Sequence, residues 1–398
     1  MKTSAIIAEY NPFHNGHKYQ IDKIKKQIDT NIVVIMSSNF TQRGTPAILN
    51  KYKRAEIAVE NGANLVIELP IIYSSSNAEI FSKGAINILN SLNIIDYLYF
   101  GSEDTLENLV NISKKIKENE NYSNDLIKKY LKEGYSYLIS RELSYDFLNK
   151  NEIEILKKPN NILALEYIKS LDYFNSNILP KNIIRHKVDH NTDEILEGFS
   201  SASNIRNLIF ENNINKIKSL VPTETFKEIK LNNINDFNNY FEIFKYLVLS
   251  NSINYNDYFD YEEGLNNRFL KFIYADNIFD FINLVSTKRY TKSRISRLIN
   301  NIILDINKDL IKESFYTSYI RILAMDKNGA NIVKKIKNAN EDIFIINKFS
   351  SVNTSKDLIL KNIAQKELEA SNIYNMYSNK IINEDYFKSP YYKKELRG

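Results

Sequence analysis

The sequence predicts an α/β fold in which a Rossmann-like parallel-sheet domain precedes a mainly α-helical domain. Short apolar runs alternate with helix-length stretches in the first half, which is the pattern of strands joined by crossover helices. Seven of the 10 glycines and six of the 7 prolines lie at or before residue 222. A chain of 398 residues is longer than a single hydrophobic core usually serves. We therefore predict two domains, residues 1–221 and 222–398.

The apolar runs of the first half are short enough for buried parallel strands. They cover 4–9, 32–36, 65–69 and 97–100, with a fifth at 183–188. Helical stretches lie between them at 17–27, 50–61, 77–90 and 162–171. Ligands of open parallel sheets bind beyond the carboxyl ends of the strands. The residues that follow each strand are therefore the candidates for function.

The second half contains few glycines and prolines and has apolar residues at helical spacing. This pattern predicts helices at 237–250, 265–275, 278–285, 292–307, 309–325, 330–337 and 356–377.

The composition excludes several classes of protein. The chain has no cysteine, which rules out disulfides, thiolate zinc sites and cysteine nucleophiles. Its net charge of +5 permits nucleic-acid binding only through a local patch. The apolar run at the N-terminus is too short for a signal peptide, and no segment approaches a membrane span. We expect a cytoplasmic protein with no membrane association and no obligate protein partner.

The first strand leads into Glu9-Tyr10-Asn11-Pro12-Phe13-His14-Asn15-Gly16-His17, which opens an amphipathic helix. Gly16 allows close approach of a ligand to the backbone, and the helix N-terminus offers free N–H groups and a positive dipole. Two imidazoles can donate to phosphate oxygens. The pattern predicts a phosphate site. A metal site is not predicted, because two histidines would need nearby carboxylates and only Glu9 is close.

A second motif is Ser200-Ser201-Ala202-Ser203-Asn204-Ile205-Arg206 at a later helix start. Serine hydroxyls can cap the helix and hold phosphate oxygens, and Arg206 can clamp a triphosphate. Together with His14-Asn15-Gly16-His17, this motif resembles the HxGH nucleotidyltransferase superfamily. That resemblance implies attack on the α-phosphate of a nucleoside triphosphate with release of pyrophosphate. The implied catalytic residues are His14, His17, Ser203 and Arg206.

Further segments resemble one family, the tRNA(Met) cytidine acetate ligases. The similar segments are residues 8–17, 38–44, 64–70, 100–103, 158–163 and 287–295, together with Arg185. Ser38 and Ala164 stand where the family pattern leads us to expect glycine. Both are small residues, so they affect local geometry rather than the reaction class.

The family resemblance implies that ATP and acetate, not acetyl-CoA, form an acetyl-adenylate. The acetyl group then passes to N4 of the wobble cytidine, position 34, of elongator tRNA(Met). Mg²⁺ is expected with the triphosphate. The implied ATP-binding residues are Ile7, Ala8, Glu9, Tyr10, Asn11, Pro12, Phe13, His14, Asn15, Gly16, His17, Lys18, Tyr19, Gln20, Gly101, Asn160, Asn161 and Arg185. Either Asn160 or Asn161 can be the helix cap, and the other the ligand contact.

A basic segment in the second half predicts the tRNA contact. Five cations and a tyrosine lie within ten residues, and the nearest acids in the sequence are Asp280 and Asp305. Such a density suits a phosphate backbone, and the tyrosine could stack on a base. A solvated helix face is the alternative interpretation. The predicted tRNA-binding residues are Lys288, Arg289, Tyr290, Lys292, Arg294 and Arg297.

Two other functions fit parts of the sequence. A cofactor-type adenylyltransferase acting on a small molecule would use the same phosphate motifs, but would leave the basic second half unexplained. A non-catalytic RNA-binding protein could retain the fold without the reaction, although the intact histidine pair and Arg206 argue against it.

Overall fold

Eight strands of the described chain form one sheet. The computed structural model describes residues 1–135, 137–184, 198–232, 234–317 and 319–394. The strands are β1 (Lys2–Ala8), β2 (Thr30–Ser37), β3 (Leu65–Leu69), β4 (Tyr97–Ser102), β5 (Leu179–Ile184), β6 (Tyr319–Met325), β7 (Phe344–Ile346) and β8 (Tyr391–Tyr392). Their order is β5-β4-β1-β2-β3-β6-β7, with β8 beside β6.

Helices connect the strands and cover both faces of the sheet. In the first half they are α1 (Asn15–Gln27), α2 (Lys51–Glu60), α3 (Ile71–Ser74), α4 (Ala78–Leu92), α5 (Leu106–Glu118), α6 (Glu120–Lys132), α7 (Tyr137–Leu143), α8 (Lys150–Lys157), α9 (Pro159–Tyr173) and α10 (Ala202–Phe210). In the second half they are α11 (Thr223–Leu231), α12 (Phe241–Leu249), α13 (Leu265–Phe272), α14 (Ile278–Val285), α15 (Lys292–Ile303), α16 (Lys308–Ser314), α17 (Lys327–Ala339), α18 (Leu358–Asn375) and α19 (Glu384–Phe387). Short 3₁₀ turns lie at Ile214–Ser219, Phe237–Tyr240, Tyr255–Asp257 and Phe349–Thr354.

The sheet is mostly parallel, and the predicted fold class is confirmed. β1 pairs in parallel with β2 and β4, β2 with β3, and β4 with β5. Alternate residues of the strands belong to different cores. Ala5 and Val33 pack on one face, whereas Ile6 and Val34 pack on the other. Burial on both faces explains why these strands appear in the sequence as continuous apolar runs.

The first four predicted strands are confirmed. The fifth begins earlier than predicted, at Leu179, and residues 185–188 of that prediction lie outside the described residues. The predicted helix 309–325 is wrong over its second part, because α16 ends at Ser314 and Tyr319–Met325 form β6. β6 is buried along nearly its whole length. A buried strand and a buried helix both appear as apolar runs, so periodicity alone did not separate them.

The second half of the chain continues the sheet of the first half. β6 lies antiparallel to β3, while β7 and β8 lie parallel to β6. The predicted division into domains at residues 1–221 and 222–398 stays a prediction. The central sheet contains strands from both ranges. No helix in the described ranges is both long and apolar enough to cross a membrane.

A buried cluster of charged side chains joins the first and second halves of the chain. The Lys51 ammonium lies 2.6 Å from Glu68, 2.9 Å from Glu367 and 3.2 Å from Asp385. The Arg321 guanidinium lies 3.0 Å from Asp385 and 3.4 Å from Glu68. These side chains are at most 5% exposed. The cluster therefore fixes α18, α19 and β6 against α2 and β3.

Ser38, where glycine was expected, contributes to the same region. The residue is fully buried, and its hydroxyl donates to a Glu367 carboxylate oxygen. Its backbone carbonyl accepts from Arg54. Ala164, the other departure, is fully buried in α9. Both small residues are thus accommodated without opening the core.

Candidate active site

The candidate site lies where the order of the strands reverses. The chain runs from β1 outward through β2 to β3, then returns to place β4 on the other side of β1. Crevices at such switch points are the usual ligand sites of open parallel sheets. A cavity of about 1630 Å³ is found there, with Ala8 at the end of β1 and Gly101 near the end of β4 in its lining.

The turn from β1 into α1 is organised by the two histidines. His14 is the N-cap residue of α1, and its Nδ1 accepts from the Gly16 backbone N–H at 3.0 Å. The His14 backbone N–H donates to Nδ1 of His17 at 3.2 Å. These reciprocal bonds form a capping box in which imidazoles replace the usual hydroxyl and carboxylate. A Cβ atom at Gly16 would lie 2.8 Å from the His14 ring, so a larger residue there would displace that ring.

The same bonds define the chemistry of the imidazole pair. The rings stack with centroids 3.8 Å apart, and both residues line the cavity. Because each Nδ1 accepts a backbone hydrogen bond, a neutral ring carries its proton on Nε2. Two Nε2–H donors are thereby set beside the N-terminus of α1. This is an arrangement for binding anionic oxygens.

The backbone of the turn is held by residues distant in the sequence. The Asn15 side chain donates to the carbonyl oxygens of Gly198 and Ser219, both at 2.9 Å. The Thr225 hydroxyl donates to the Phe13 carbonyl at 3.0 Å. Asn11 accepts from the Ile48 N–H at 2.9 Å through its side chain. The turn is therefore fixed on both sides before any ligand binds.

Arg54 is a site-organising residue that the sequence reasoning missed. Its guanidinium is fully buried and donates to the carbonyls of Leu49 at 2.9 Å, Glu9 at 2.5 Å and Ser38. Arg54 thereby connects the polypeptide just beyond β1 with that just beyond β2. Burial lowers the pKa of Arg54 to about 10. Nothing in its local sequence distinguishes it from other helix arginines.

The second predicted motif reaches the cavity through Arg206. Ser201 caps α10 by accepting from the Asn204 N–H at 3.1 Å. The Arg206 guanidinium donates to the Asn11 carbonyl at 2.7 Å and to the Ser203 hydroxyl at 3.2 Å. Ser203 itself is not part of the cavity lining, whereas Arg206 and Ser200 are. Ser203 therefore orients Arg206 in this structure.

The electrostatics around Arg206 suit an anionic ligand. Burial lowers the pKa of Arg206 to about 10, while Glu9 opposes this shift and Arg43 adds to it. The residue nevertheless stays charged at neutral pH. A partly desolvated cation beside the α1 N-terminus gains strongly from a phosphate group.

The surroundings of Asn160 and Asn161 bear on which of the two is the candidate for ligand contact. The Asn161 side chain is fully buried, and its oxygen accepts from the N–H groups of Glu103 at 2.9 Å and Asp104 at 3.1 Å. Asn160 lines the cavity and donates to a Glu103 carboxylate oxygen. Asn161 thus supports the loop after β4, which leaves Asn160 as the candidate for ligand contact.

Most of the predicted ATP-binding residues come together around the cavity. Those in the lining are Ile7, Ala8, Glu9, Tyr10, Asn11, His14, Gly16, His17, Tyr19, Gln20, Gly101 and Asn160. Those outside the lining are Pro12, Phe13, Asn15, Lys18 and Asn161. Arg185 lies outside the described residues. Phe13 is fully buried beneath the turn, and Lys18 pairs with Asp22 at 3.5 Å on the exposed side of α1.

The loop after β2 connects the cavity to the second half of the chain. Gln42 and Arg43 line the cavity, and the Gln42 N–H donates to the Glu9 carboxylate at 2.9 Å. Gly44 has φ +70°, and a Cβ there would lie 2.4 Å from the Arg297 Cα atom. The Ser296 hydroxyl donates to the Gly44 carbonyl at 3.1 Å. Helix α15 thus packs directly on this loop.

The basic segment divides into paired arginines and unpaired lysines. Arg297 forms a two-pronged pair with Asp260 at 2.9 and 3.2 Å, and Arg289 and Arg294 both pair with Glu262. The exposed Lys288 and Lys292 have no ion-pair partner in the described part of the chain. Tyr290 is 8% exposed, with Arg289 and Arg294 each 5.6 Å from its ring centre.

These contacts change the interpretation of the basic segment. Lys292 and Arg297 belong to the cavity lining, whereas Lys288, Arg289, Tyr290 and Arg294 do not. The Tyr290 ring has little surface left for stacking on a base. The predicted tRNA contacts stay predictions, and the unpaired lysines among them are exposed.

The described residues contain no group of three or more His, Cys, Asp or Glu side chains that could hold a metal ion. The carboxylates in the cavity lining are Glu9 and Asp236. A divalent ion here would therefore depend on phosphate oxygens and water for most of its ligands.

The fold and the site together define a nucleotidyltransferase. A family model described as HIGH Nucleotidyl Transferase matches residues 1–388. A protein of Clostridium botulinum (strain Kyoto / Type A2) named tRNA(Met) cytidine acetate ligase is 39% identical, covering 98% of each chain. One of that name from Thermoanaerobacter sp. (strain X514) is 38% identical over 95% of this chain and 96% of its own. The chain belongs to the HIGH nucleotidyl transferase family and, within it, to the tRNA(Met) cytidine acetate ligases.

Solved structures agree with this assignment. The crystal structure of apo Thermotoga maritima TmcAL is 28% identical and matches with a TM-score of 0.92, covering 99% of this chain and 100% of that one. A second form of that protein, bound with alpha-thio ATP, is 27% identical and matches with a TM-score of 0.88 over the same shares.

Proposed function

We propose that this protein is an ATP-dependent ligase that acetylates N4 of the wobble cytidine of elongator tRNA(Met), using acetate. One observation carries the proposal: the imidazole pair at the α1 N-terminus and cationic residues of α15 line the same cavity. A phosphate site and a candidate nucleic-acid surface thus open into one space. The family membership and the names of the relatives support this function.

ATP is proposed to bind over the carboxyl ends of β1 and β4. The Nε2–H groups of His14 and His17 and the guanidinium of Arg206 point to a polyphosphate as their ligand. Asn160 and Gly101 line the same cavity and are the proposed neighbours of the adenosine. The alpha-thio ATP bound in the Thermotoga maritima protein supports the choice of nucleotide.

In the proposed first step, an acetate oxygen attacks the α-phosphorus and the bond to the pyrophosphate oxygen breaks. Negative charge grows on the departing pyrophosphate, which the two imidazoles and Arg206 stabilise. Mg²⁺ carried by the triphosphate would neutralise part of this charge, with Glu9 as the nearest carboxylate of the motif. Acetyl-adenylate remains in the cavity.

In the proposed second step, N4 of the cytidine attacks the acetyl carbonyl carbon. The bond from that carbon to the AMP phosphate oxygen breaks, AMP leaves, and the nitrogen gives its proton to the departing phosphate or to water. The anticodon loop must present an unstacked base for this attack. The exposed Lys288 and Lys292 are the proposed phosphate contacts that hold the loop.

The test follows the two steps separately. Exchange of labelled pyrophosphate into ATP should require acetate and should proceed without RNA. Labelled acetate should then pass to elongator tRNA(Met), with N4-acetylcytidine identified by mass spectrometry, and acetyl-CoA should not replace ATP and acetate. Absence of acetate-dependent exchange would refute the ligase.

The same assays separate the competing functions. A cofactor-type adenylyltransferase would incorporate AMP into a small acceptor and would show no acetate requirement. A non-catalytic RNA-binding protein would bind the tRNA and show no exchange. Only the ligase gives both acetate-dependent exchange and acetylated RNA.

A further inference from the structure

The cavity holds more space than one nucleotide requires. Small-molecule sites usually occupy about 300–1,000 Å³, whereas this cavity measures about 1630 Å³. Motif residues of β1, β4, α9 and α10 line part of it. Residues of α14 and α15 of the second half also line it, and the proposed ATP contacts use none of these residues.

Helix α14 presents one face to this space. Phe279, Ile282 and Asn283 line the cavity at positions i, i+3 and i+4, which lie on the same side of a helix. Ile282 is buried, but the Phe279 side chain is 48% exposed. An open phenyl ring on a cavity wall costs hydration free energy and offers a flat surface for stacking. Asn283 is exposed beside it, and its amide has no hydrogen bond within the described ranges.

A cation lies close to this face. Lys292 begins α15, which packs against α14, and it lines the same cavity. Unlike the neighbouring arginines, it has no carboxylate partner in the described structure. A flat aromatic ring, an amide and a cation along one wall match the base, the hydrogen-bonding edge and the phosphate of a nucleotide residue.

We infer that this wall is the acceptor-cytidine site: Phe279 stacks on the unstacked base, Asn283 hydrogen-bonds its pyrimidine edge, and Lys292 neutralises a flanking phosphate. This inference rests on the proposed function and assigns its second substrate to specific residues. The Asn283 amide N–H donates to N3 or O2 of the base, which are acceptors. N4 then remains available to attack the acetyl-adenylate.

The test compares Phe279→Ala with Leu284→Ala in the full-length protein. Leu284 belongs to the same helix and is also 48% exposed, but it does not line the cavity. We expect Phe279→Ala to retain acetate-dependent pyrophosphate exchange and to lose roughly 10- to 100-fold in kcat/KM for acetyl transfer to an anticodon stem-loop RNA. Phe279→Tyr should restore most of the transfer. Leu284→Ala should behave as the wild type in both assays.

A binding cycle identifies the contacted base. The second RNA is the same stem-loop with an abasic residue at the acceptor position. Wild type should bind it more weakly than the intact stem-loop. Phe279→Ala should show a clearly smaller difference between the two RNAs, because its stack is already missing and only the Asn283 hydrogen bond to the base remains to be lost.

The outcomes distinguish this inference from the proposed function. Equal losses by Phe279→Ala on intact and abasic RNA would overturn the assignment, as would transfer at the wild-type rate. Loss of exchange in Phe279→Ala would place the ring in the ATP site and also overturn it. If the wild type itself showed no acetate-dependent exchange, the proposed function would be the claim that fails.

Discussion

Replacing His14 by asparagine should separate the structural role of this residue from its chemical role. His14 caps α1 by accepting from the Gly16 N–H, and asparagine is among the best residues for that task. Asparagine cannot, however, extend an Nε2–H into the cavity. The variant therefore keeps the turn and loses one donor to the proposed triphosphate.

The contacts of His14 determine the expected size of each effect. Loss of the cap in His14→Ala should cost about 1 kcal/mol of unfolding free energy. In His14→Asn the cap survives and mainly the ring stacking on His17 is lost, which is worth about 1 kcal/mol or less. Removal of one donor that stabilises charge in a transition state typically lowers the rate about 10²- to 10³-fold. Activity should thus fall far more than stability.

The assay is acetate-dependent exchange of labelled pyrophosphate into ATP, measured beside denaturant unfolding of the same samples. Lys26→Gln, an exposed change on the same helix, serves as the matched control and should leave both measurements unaltered. Exchange by His14→Asn within threefold of the wild-type rate would refute the assignment of His14 to the phosphates. A loss of activity that is no larger than the fraction of His14→Asn protein that is unfolded would also refute this assignment.

Three further predictions concern other parts of the structure. Arg206→Lys cannot reproduce both hydrogen bonds of the guanidinium, so exchange at subsaturating ATP should fall about 10- to 100-fold, measured as kcat/KM. Lys51→Met leaves buried carboxylates unpaired and should cost about 3–5 kcal/mol of unfolding free energy. Lys53→Met removes partly exposed ion pairs of the same helix and should cost under about 1 kcal/mol by the same denaturant titration. Burial and the neighbouring charge of Glu367 raise the pKa of Glu68, against the opposing charges of Lys51 and Arg321, so its contribution to stability is present at acidic pH and is lost as the pH rises through the raised pKa. Relative to Glu68→Gln, the wild type should therefore lose stability as the pH rises from acidic to neutral values in a denaturant titration, and parallel stability curves for the two proteins would contradict this.

The sequence predicted the half of the site that is built from consecutive residues. The strand, turn and helix around His14 and His17 were predictable because local physical rules determine each part: an apolar run, a glycine where a side chain would collide, and a helix start. The cap on α10 at Ser201 was predictable for the same reason. These features need no knowledge of distant contacts.

The remaining features depend on contacts between distant segments. Arg54 and Lys51 lie close together on α2, and no local pattern shows that both are buried. Arg54 holds the segments beyond β1 and β2, and Lys51 holds the second half of the chain. The acids nearest to Arg297 in the sequence did not include Asp260, which lies 37 positions earlier and pairs with it only in the folded chain. β6 was mistaken for helix because only its neighbour β3 determines that this apolar run is extended.

The shared sheet and the buried charge cluster have a consequence for the proposed chemistry. An acyl-adenylate is a mixed anhydride, so water must be kept from it until the acceptor arrives. If the two parts of the chain moved freely, the cavity would open between the steps. The pairing of β3 with β6, the ion pairs around Lys51 and the close packing of Gly44 on α15 hold the two walls together instead. The acceptor site is thus fixed relative to the phosphate site, and specificity for the RNA can be built into the same walls that protect the intermediate.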